Sequence, residues 1–542
     1  MVSEVAVDRS MHGRFSAVRV LACAWPALLL ATVCLLPYLS KAFVRDDPYF
    51  LAMAQQIIQH PAHPMDFTVC WNMSPGCAKA SVLTTGNALT GYVLAPTVLT
   101  GAHEWTAHLT QLVLVWIAVV AMASLTLRLG WNRQHAILGA LLLVAISPFL
   151  PMASTAMPDT LATAVALVSM ERLAAWKAEQ RWSQGVAAAV ALGLAGFARS
   201  HLALLLPLAA IYLFDNAPLR ELPGQFRRRF FLWTPVLAGT ALLAAIIAIT
   251  REHNLAINPP ASFSGMGNIL PNLFGYLTYL VFPLPLAFCW LANRLKERKL
   301  RAVIIVALAA CVASLLHPRL VLFCGIIGFG MMNDLLLETW KKAELMGVVL
   351  MLWILIPLPI VYYGHFPAKY LLPCIPAVIF LCFRLMDGFS VRAFRAIAIG
   401  LIVVSTCCSF LIVRSDAEYA NFGRDALYGL VRPHVSAGQK VWFAGQWSSY
   451  WYAPLAGATL TFPGGPQPKP GDFLVVALHD GDEGKAALLP FPHRTLVSEI
   501  THTYRFGRTL EAAVGFSSYR LAYWMWGVGD GPDDDYQLWR ID

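Results

Sequence analysis

Apolar segments long enough to cross a bilayer dominate the chain. A helix needs about 20 apolar residues to span a hydrocarbon core about 30 Å thick. Thirteen segments approach that length, and the fifth and sixth are the shortest. They lie near residues 20–40, 104–127, 135–150, 160–175, 185–198, 200–214, 231–250, 269–292, 300–316, 319–336, 343–363, 368–386 and 395–413. The sequence therefore predicts a polytopic α-helical membrane protein with about 13 transmembrane helices.

The composition excludes an ordinary soluble domain, because 58% of the 542 residues are hydrophobic and only 13% are charged. The first apolar segment follows Arg9, Arg14 and Arg19, an arrangement also found in signal peptides. It is too long for the apolar region of a signal peptide, and no small-x-small cleavage site follows it. We therefore expect this segment to be retained as a membrane anchor.

The distribution of basic residues predicts the orientation of the chain. The net charge of +9 lies mostly in short loops between apolar segments, which argues against a nucleic-acid partner. On the side of the N-terminus these loops carry 22 Lys or Arg residues, against 7 on the other side before the C-terminal region. Since cytoplasmic loops are enriched in Lys and Arg, we predict a multi-pass protein of the inner (plasma) membrane. Its N-terminus would be cytoplasmic and its C-terminal region external.

The first external loop, residues 41–103, is too long to be a simple connector and is expected to have structure of its own. Residues 47–60 predict an interfacial amphipathic helix, because apolar residues recur there at spacings of three and four. Residues 87–99 predict a second interfacial segment. Cys70 and Cys77 share the loop, and the sequence leaves open whether they form a disulfide or remain two thiols.

The composition changes after the last apolar segment, and residues 414–542 predict an external α/β domain. Glycine and proline become frequent, residues 416–431 predict a helix, and short strand-like runs follow it. The strand-like runs lie at 440–444, 472–477 and 519–524. The predicted organisation is thus a transmembrane domain over residues 1–413 followed by this second domain.

Ionisable residues gather at the predicted external ends of the apolar segments. Asp46 and Asp47 follow the first segment, and Asp159 begins the fourth. Arg199 lies between the fifth and sixth segments, and Lys369 lies where the eleventh and twelfth meet. Each has an ordinary structural explanation, since aspartates cap helix starts and cations snorkel to lipid headgroups. Together they indicate chemistry, because a carboxylate can accept a proton from an attacking hydroxyl while cations stabilise a departing phosphate.

Four motifs, in the same order, resemble those of the integral-membrane GT-C glycosyltransferases, in particular the bacterial branch that contains lipid A aminoarabinose transferases and protein O-mannosyltransferases. Residues 45–49 (RDDPY) resemble the acidic pair after the family's first span, and residues 157–161 (MPDTL) its second acidic motif. Residues 193–207 resemble its small-residue stretch with a cation, and residues 365–376 (HFPAKYLLPCIP) its R-Y-L-L-P-x-x-P motif. The resemblance covers about residues 15–413.

This resemblance implies transfer of a sugar, with inversion, from a polyprenyl-phosphate-linked donor to a hydroxyl of an envelope lipid, glycan or protein on the non-cytoplasmic face. Asp46 is expected to be the general base, and Asp47 and Asp159 to position the acceptor or bind a divalent cation. The residues expected to bind substrate, above all the donor phosphate, are Arg199, Lys369, His365, Tyr370 and Lys79. The chain departs from the family at Asp47, where Glu is usual, and at Lys369, where Arg is usual. Lysine lacks the bidentate phosphate binding of arginine.

No cofactor follows from the sequence with certainty. His60 and His63 lie close together, but no third metal ligand accompanies them. The aspartates of residues 529–535 lack the spacing of a calcium-binding loop. A divalent cation at the carboxylates stays one alternative, and the metal ligands are unknown.

Two other interpretations compete with glycosyl transfer. A multi-pass transporter or lipid flippase would place charges near the bilayer midplane and repeat its two halves, whereas this chain carries its charges at one face and has no internal repeat. A scaffold would only display the C-terminal domain to partners. An enzyme requires Asp46 and Asp159 to approach one site, and either rival allows them to lie far apart. The sequence specifies neither the sugar nor the acceptor.

Overall fold

The protein is mostly helical in the computed structural model, which describes most of the chain. The described residues are 17–72, 76–83, 87–215, 221–250, 269–282, 284–297, 300–315, 319–342, 344–363, 366–445, 447–478, 482–504, 507, 509–511, 514–515 and 534–542. Two predictions lie outside them, the substrate-binding role of His365 and the strand at 519–524.

Among the described residues before 440, helices account for the regular structure apart from one short hairpin. The α-helices are α1 (Ala17–Leu35), α2 (Asp47–Gln59), α3 (Ala80–Leu83), α4 (Ala88–Leu99), α5 (Glu104–Arg128), α6 (Arg133–Ala145), α7 (Phe149–Ala153), α8 (Pro158–Glu179), α9 (Trp182–Ala198), α10 (Leu205–Tyr212), α11 (Leu222–Arg228), α12 (Thr234–Thr250), α13 (Ile269–Val281), α14 (Leu286–Lys296), α15 (Leu300–Leu315), α16 (Arg319–Lys342), α17 (Leu345–Leu355), α18 (Ile375–Met386), α19 (Val391–Ser436), α20 (Ser448–Leu455) and α21 (Asp482–Leu488). Short 3-10 helices lie at Leu36–Tyr38, Ser200–Leu204, Phe230–Trp233, Leu358–Tyr362 and Ala368–Cys374.

The strands form three sheets. They are β1 (Thr68–Asn72), β2 (Gly76–Lys79), β3 (Val441–Ala444), β4 (Thr459–Leu460), β5 (Phe473–Ala477), β6 (Arg494–His502), β7 (Leu510–Glu511), β8 (Val514–Gly515) and β9 (Asp534–Ile541). Two sheets are antiparallel pairs, β1 with β2 and β7 with β8. The third is five-stranded, in the order β4-β3-β5-β9-β6.

Seven helical segments within the described ranges are long and apolar enough to cross a membrane. They are Ala17–Tyr38, Glu104–Arg128, Phe230–Thr250, Val321–Lys342, Leu345–Tyr362, Ala368–Met386 and Val391–Ser436. Helices α13 and α14 make an eighth if they form one span bent by 63°. Shorter apolar helices lie at four further places, Ala88–Leu99, Arg133–Ala145, Trp182–Ala198 and Ser200–Tyr212. The chain is a multi-pass membrane protein, and the count of thirteen spans stays a prediction.

Proline explains why the apolar stretch before Asp159 is broken into short helices. Helix α6 ends at Ala145, and Ile146 is extended shortly before Pro148. The short α7 follows, and α8 then begins at Pro158, where the missing N–H of proline costs no hydrogen bond. Asp159 is consequently fixed in the first turn of a 22-residue helix.

The first loop folds largely as its sequence pattern predicts. Helix α2 buries Phe50, Leu51 and Ile57 and packs on α4, which covers the predicted second segment. Polar residues of α2, among them Gln55 and Gln59, are exposed. Cys70 and Cys77 form a disulfide across the hairpin of β1 and β2.

The boundary at residue 413 contains no break in secondary structure. The predicted last span and the predicted helix 416–431 are one helix, α19, which runs for 46 residues. The helix predicted at 416–431 is present, and it continues the last apolar segment because no proline or glycine interrupts the junction and the charge of Asp416 is neutralised by Lys41 and Arg45.

The C-terminal region packs against the end of α19 through its five-stranded sheet. Strand β3 runs parallel to β4 and β5, and β9 pairs antiparallel with β5 and β6. The strands predicted at 440–444 and 472–477 are thus present as β3 and β5. Buried side chains of these two strands, Phe443 and Val475, belong to the same hydrophobic core as the helices. The division into two domains at residue 413 stays a prediction.

Candidate active site

The two adjacent aspartates after α1 point in different directions. Arg45 adopts a left-handed backbone conformation with φ of 54°, directly before Asp46. Asp46 is the N-cap of α2, and Pro48 lies in its first turn, so the predicted helix start is present. The Asp46 side chain caps no backbone N–H and keeps 25% of its surface exposed, whereas Asp47 is fully buried.

Asp46 pairs with a lysine that lies 323 positions further along the chain. The Nζ atom of Lys369 lies 3.1 Å from Oδ2 of Asp46, and the lysine side chain is only 5% exposed. Lys369 belongs to the 3-10 turn Ala368–Cys374, whose Pro373 carbonyl accepts a hydrogen bond from the Trp353 indole at 2.9 Å. That bond ties the turn to α17, so the position of the ammonium group is set by packing.

Asp159 and Arg199 form a second, more deeply buried pair. The Nη2 atom of Arg199 lies 2.5 Å from Oδ1 of Asp159. Arg199 is the C-cap of α9, and α9 packs against α8. The N-cap of α8 is Met157, and Asp159 lies in the first turn with its Oδ1 bonded to Arg199.

Tyr370 joins the two pairs into one cluster. The Arg199 guanidinium lies 4.9 Å from the centre of the Tyr370 ring, and the Lys369 ammonium lies 5.8 Å from it. Asp159 also interacts electrostatically with both Lys369 and Asp46. The structure therefore brings together five of the predicted site residues, which come from four distant parts of the sequence.

Several buried polar atoms among the described residues have no partner, and one of them belongs to Asp159. Its own Oδ2, the Thr160 hydroxyl and the His201 Nε2 have no hydrogen-bond partner among the described residues. Oε1 of Gln111 also has no hydrogen-bond partner in the described part of the chain. The amide nitrogen of Gln111 donates to the Met157 carbonyl at 3.3 Å. Leaving a buried polar atom unpaired costs about 1–3 kcal/mol. A substrate with several hydroxyl groups would satisfy such atoms.

Both carboxylate oxygens of Asp47 are bonded to the protein backbone. Its Oδ2 accepts the Val44 N–H at 3.0 Å and its Oδ1 accepts the Ala156 N–H at 2.8 Å. These bonds hold the turn before α2 against the loop before α8. Burial raises the pKa of Asp47 to about 7, although the nearby Lys41 and the two backbone N–H groups favour the charged form.

Lys79 lies on the surface of the hairpin in a different setting. Its ammonium pairs with Asp66 at 2.9 Å, and both side chains are more than half exposed. This pairing lowers the pKa of Asp66. The structure thus gives Lys79 a surface partner and does not bring it to the cluster around Tyr370.

A second buried ionic network lies beside the cluster and was missed in the sequence. Lys41 and Arg45 flank the segment before Asp46, and both pair with Asp416 of α19, Arg45 at 3.4 Å. All three side chains have no exposed surface. The available signal was an aspartate that continues an apolar span, because a charge in such a position requires a partner.

The described residues do not form a metal centre. No group of three or more His, Cys, Asp or Glu side chains in the described part of the chain could hold a metal ion. Asp46 and Asp159 each face a cation already. Asp46 and Asp159, each paired with a cation, therefore do not fit a metal ion.

Comparisons with solved structures give similarities of fold. No family model matches the chain, and a sequence comparison with curated proteins finds no match. Thirteen chains of solved structures match. One is the Archaeoglobus fulgidus oligosaccharyltransferase tethered with an acceptor peptide, at 12% identity and a TM-score of 0.44. That match covers 81% of this chain and 63% of the archaeal protein, so the chain spans less than two thirds of its length.

Two further matches are crystal structures of ArnT from Cupriavidus metallidurans. The apo structure matches at 11% identity with a TM-score of 0.40, over 89% of this chain and 97% of that one. The structure bound to undecaprenyl phosphate matches at 13% identity with a TM-score of 0.42, over 89% and 96%.

Proposed function

We propose that the protein is a membrane glycosyltransferase that moves a sugar from a polyprenyl-phosphate-linked donor to a hydroxyl of an envelope lipid, glycan or protein. The observation that carries the proposal is the meeting of two carboxylate–cation pairs at Tyr370. A reaction that removes a proton from a hydroxyl and releases a phosphate needs a carboxylate and cations in one place.

Asp46 is the proposed general base. A base must reach the proton that it abstracts, and the Asp46 side chain is the most exposed of the three predicted carboxylates. In the proposed step its free oxygen takes the proton of the acceptor hydroxyl. The acceptor oxygen then forms a bond to the anomeric carbon on the face opposite the phosphate, and inversion follows.

Lys369 and Arg199 are the proposed binding residues for the donor phosphate. As the bond between the anomeric carbon and the phosphate oxygen breaks, the electron pair stays on the phosphate and the two cations stabilise its charge. Asp159 is proposed to hold Arg199 through one oxygen and to accept a substrate hydroxyl with the other. Tyr370 is proposed to fix the direction of both cations.

Asp47 is assigned a different role from the one expected in the sequence. Because both of its oxygens accept backbone N–H groups and the side chain is buried, we propose that it shapes the turn without touching substrate. Lys79 is not included in the proposed site, since it pairs with Asp66 on the surface.

The site is proposed to face the non-cytoplasmic side of the inner membrane. This orientation follows from the excess of basic residues in the loops at the opposite ends of the helices. The close approach of Asp46 and Asp159 to one another also supports an enzyme over a transporter, flippase or scaffold.

The test uses the full chain reconstituted in vesicles of envelope lipid. A polyprenyl-phosphate sugar carrying an isotope label in the sugar is added, and mass spectrometry detects labelled acceptor and released polyprenyl phosphate. We expect both products with the wild type and with Asp425→Asn, an exposed aspartate of α19, and neither with Asp46→Asn. Near-normal transfer by Asp46→Asn would remove the base assignment. Movement of intact donor across the bilayer without sugar transfer would favour a flippase.

A further inference from the structure

The segment that leads to Asp46 is held by the C-terminal region of the chain. The Ala42 N–H donates to the Asn421 side chain at 2.9 Å, and the Phe43 N–H donates to the Tyr452 hydroxyl at 2.6 Å. These partners lie on α19 and α20, far from the segment in sequence. The backbone before the proposed base is therefore hydrogen-bonded outside the helices that carry the other site residues.

Further contacts of Phe43 strengthen this attachment. Its carbonyl accepts the Ser448 hydroxyl at 3.2 Å, and its ring meets Trp451 edge-to-face at 5.6 Å between centres. The Tyr452 hydroxyl, which receives the Phe43 N–H, itself donates to Glu104 at the start of α5 at 3.0 Å. Helix α20 thus connects the segment to the helical bundle.

Asp416 is the charged centre of this attachment. Its Oδ2 binds the Lys41 ammonium, and its Oδ1 lies 3.4 Å from the Arg45 guanidinium. Lys41 also donates to the Ser154 carbonyl at 2.9 Å. One carboxylate therefore holds both ends of the segment between Lys41 and Arg45, and Asp46 is the next residue.

Thr509 of the C-terminal region is a second partner of the Arg45 guanidinium. The Arg45 guanidinium donates to the Thr509 carbonyl at 2.8 Å, and the Thr509 hydroxyl lies 3.3 Å from Oδ1 of Asp416. The Arg45 guanidinium also lies 5.8 Å from the centre of the Tyr419 ring. The Arg45 side chain is therefore fixed between α19 and the chain near residue 509.

The backbone of Arg45 explains why such an attachment is needed. A non-glycine residue with φ of 54° is strained and persists only where its surroundings hold it. Buried charges provide such a constraint, because removing one partner of a buried pair leaves the other charge buried and unpaired. The turn at Arg45 separates the directions of Asp46 and Asp47, so Asp46 reaches Lys369.

We infer that Asp416 is a positioning residue for the proposed reaction: through Lys41 and Arg45 it sets the turn that places Asp46 beside Lys369. The C-terminal region therefore helps to set the geometry of the active site. The expected effect of Asp416 on sugar transfer rests on the proposed function. Its expected effect on the structure of residues 41–50 rests only on the geometry of the turn.

The experiment compares the wild type with Asp416→Asn and with Asp425→Asn on the same helix, whose side chain is 65% exposed and pairs with the adjacent Arg424. Three quantities are measured on the full chain in vesicles: turnover, the number of polyprenyl phosphate binding sites per chain, and hydrogen exchange of the amides of residues 41–50. We expect Asp416→Asn to lower turnover by about 10- to 100-fold, since a displacement of about 1 Å can cost that much.

The binding and exchange measurements separate positioning from loss of folded protein. If Asp416 is a positioning residue, the Asp416→Asn variant keeps close to the wild-type number of polyprenyl phosphate sites. Hydrogen exchange of residues 41–50 is then faster than in the wild type, whereas exchange of α8 is unchanged. A fall in binding sites in proportion to turnover would instead mean lost folded protein and would overturn the inference. So would wild-type exchange of residues 41–50.

A failure of the proposed function would look different. If neither the wild type nor Asp425→Asn transfers sugar, the proposed function fails, and the exchange of residues 41–50 still decides whether Asp416 holds the turn. If both are active and Asp416→Asn matches them, the proposed function stands and the positioning role is wrong. The conservative variant Asp416→Glu, which keeps the charge, is expected to retain more turnover than Asp416→Asn.

Discussion

The Lys369 ammonium lies 3.1 Å from the Asp46 carboxylate, so the residue proposed to bind phosphate also neutralises the proposed base before substrate arrives. A donor phosphate at Lys369 would compete for this ammonium and free the carboxylate for the acceptor hydroxyl. Binding of the first substrate and activation of the second are thereby linked through one contact.

Lys369→Ala is expected to weaken donor use more than catalysis of bound donor. A hydrogen bond to a charged group contributes about 1.5–3 kcal/mol, so the KM for the lipid-phosphate donor should rise by about 10- to 100-fold. Lys369→Arg, which keeps the charge, should recover part of this loss. Steady-state kinetics with varied donor measure both effects, and an unchanged donor KM in Lys369→Ala would exclude Lys369 from phosphate binding.

Arg199→Gln is expected to destabilise the protein unless Asp159 is changed with it. Removing the cation leaves a buried carboxylate unpaired, which costs about 3–5 kcal/mol, whereas Arg199→Gln combined with Asp159→Asn leaves two neutral partners. Thermal unfolding in detergent should therefore show the double variant to be more stable than Arg199→Gln alone. Transfer activity should stay low in both, and a double variant with wild-type activity would show that the pair is only structural.

Thr160→Val is expected to raise stability and lower transfer. The Thr160 hydroxyl is buried and unpaired in the part of the chain that the structure describes, so its removal should stabilise the substrate-free protein by about 1 kcal/mol. The same hydroxyl is expected to bond a substrate hydroxyl. Melting temperature and donor KM are measured on the same preparation. A variant that gains stability with unchanged kinetics would remove Thr160 from the substrate site.

Asp47 is expected to make stability depend on pH. Burial raises its pKa to about 7 in the folded protein, against about 3.9 for an unfolded aspartate. The folded state therefore holds the proton more tightly, and the stabilisation is complete below about pH 4 and lost as the pH rises through about 7. Lys41 and Asp416 are the charged groups that act on Asp47.

Asp47→Asn removes this titration, and that substitution provides the measurement. The melting temperature of the wild type should fall relative to that of Asp47→Asn between about pH 5 and about pH 8. The difference between the two proteins is compared at each pH, which cancels titrations elsewhere. Parallel curves over this range would contradict the raised pKa.

Local patterns in the sequence were enough for two helices of the first loop and for two strands of the C-terminal sheet. Helix α2 follows from apolar residues at spacings of three and four, and its observed end at Gln59 is one residue from the predicted end. Strands β3 and β5 are short, continuously buried runs that match their predicted positions. In each case the residues that form the element also carry its signal.

The pairing of distant charges was only partly predictable. Asp46, Asp159, Arg199 and Lys369 could be collected because each marks the end of an apolar segment, but nothing local indicates which carboxylate meets which cation. The Lys41–Asp416 pair joins residues 375 positions apart, and Asp416 looked like part of a separate helix. The burial of Asp47 was also not predictable, since its partners are backbone N–H groups set by the tertiary fold.

A structure of the protein with a polyprenyl-phosphate sugar bound, determined by electron cryomicroscopy in lipid, tests the central claim most directly. We predict the phosphate within about 3 Å of both the Lys369 ammonium and the Arg199 guanidinium, with the sugar facing Asp46. A donor whose phosphate lies elsewhere, with both carboxylate–cation pairs unchanged, would contradict the proposed site.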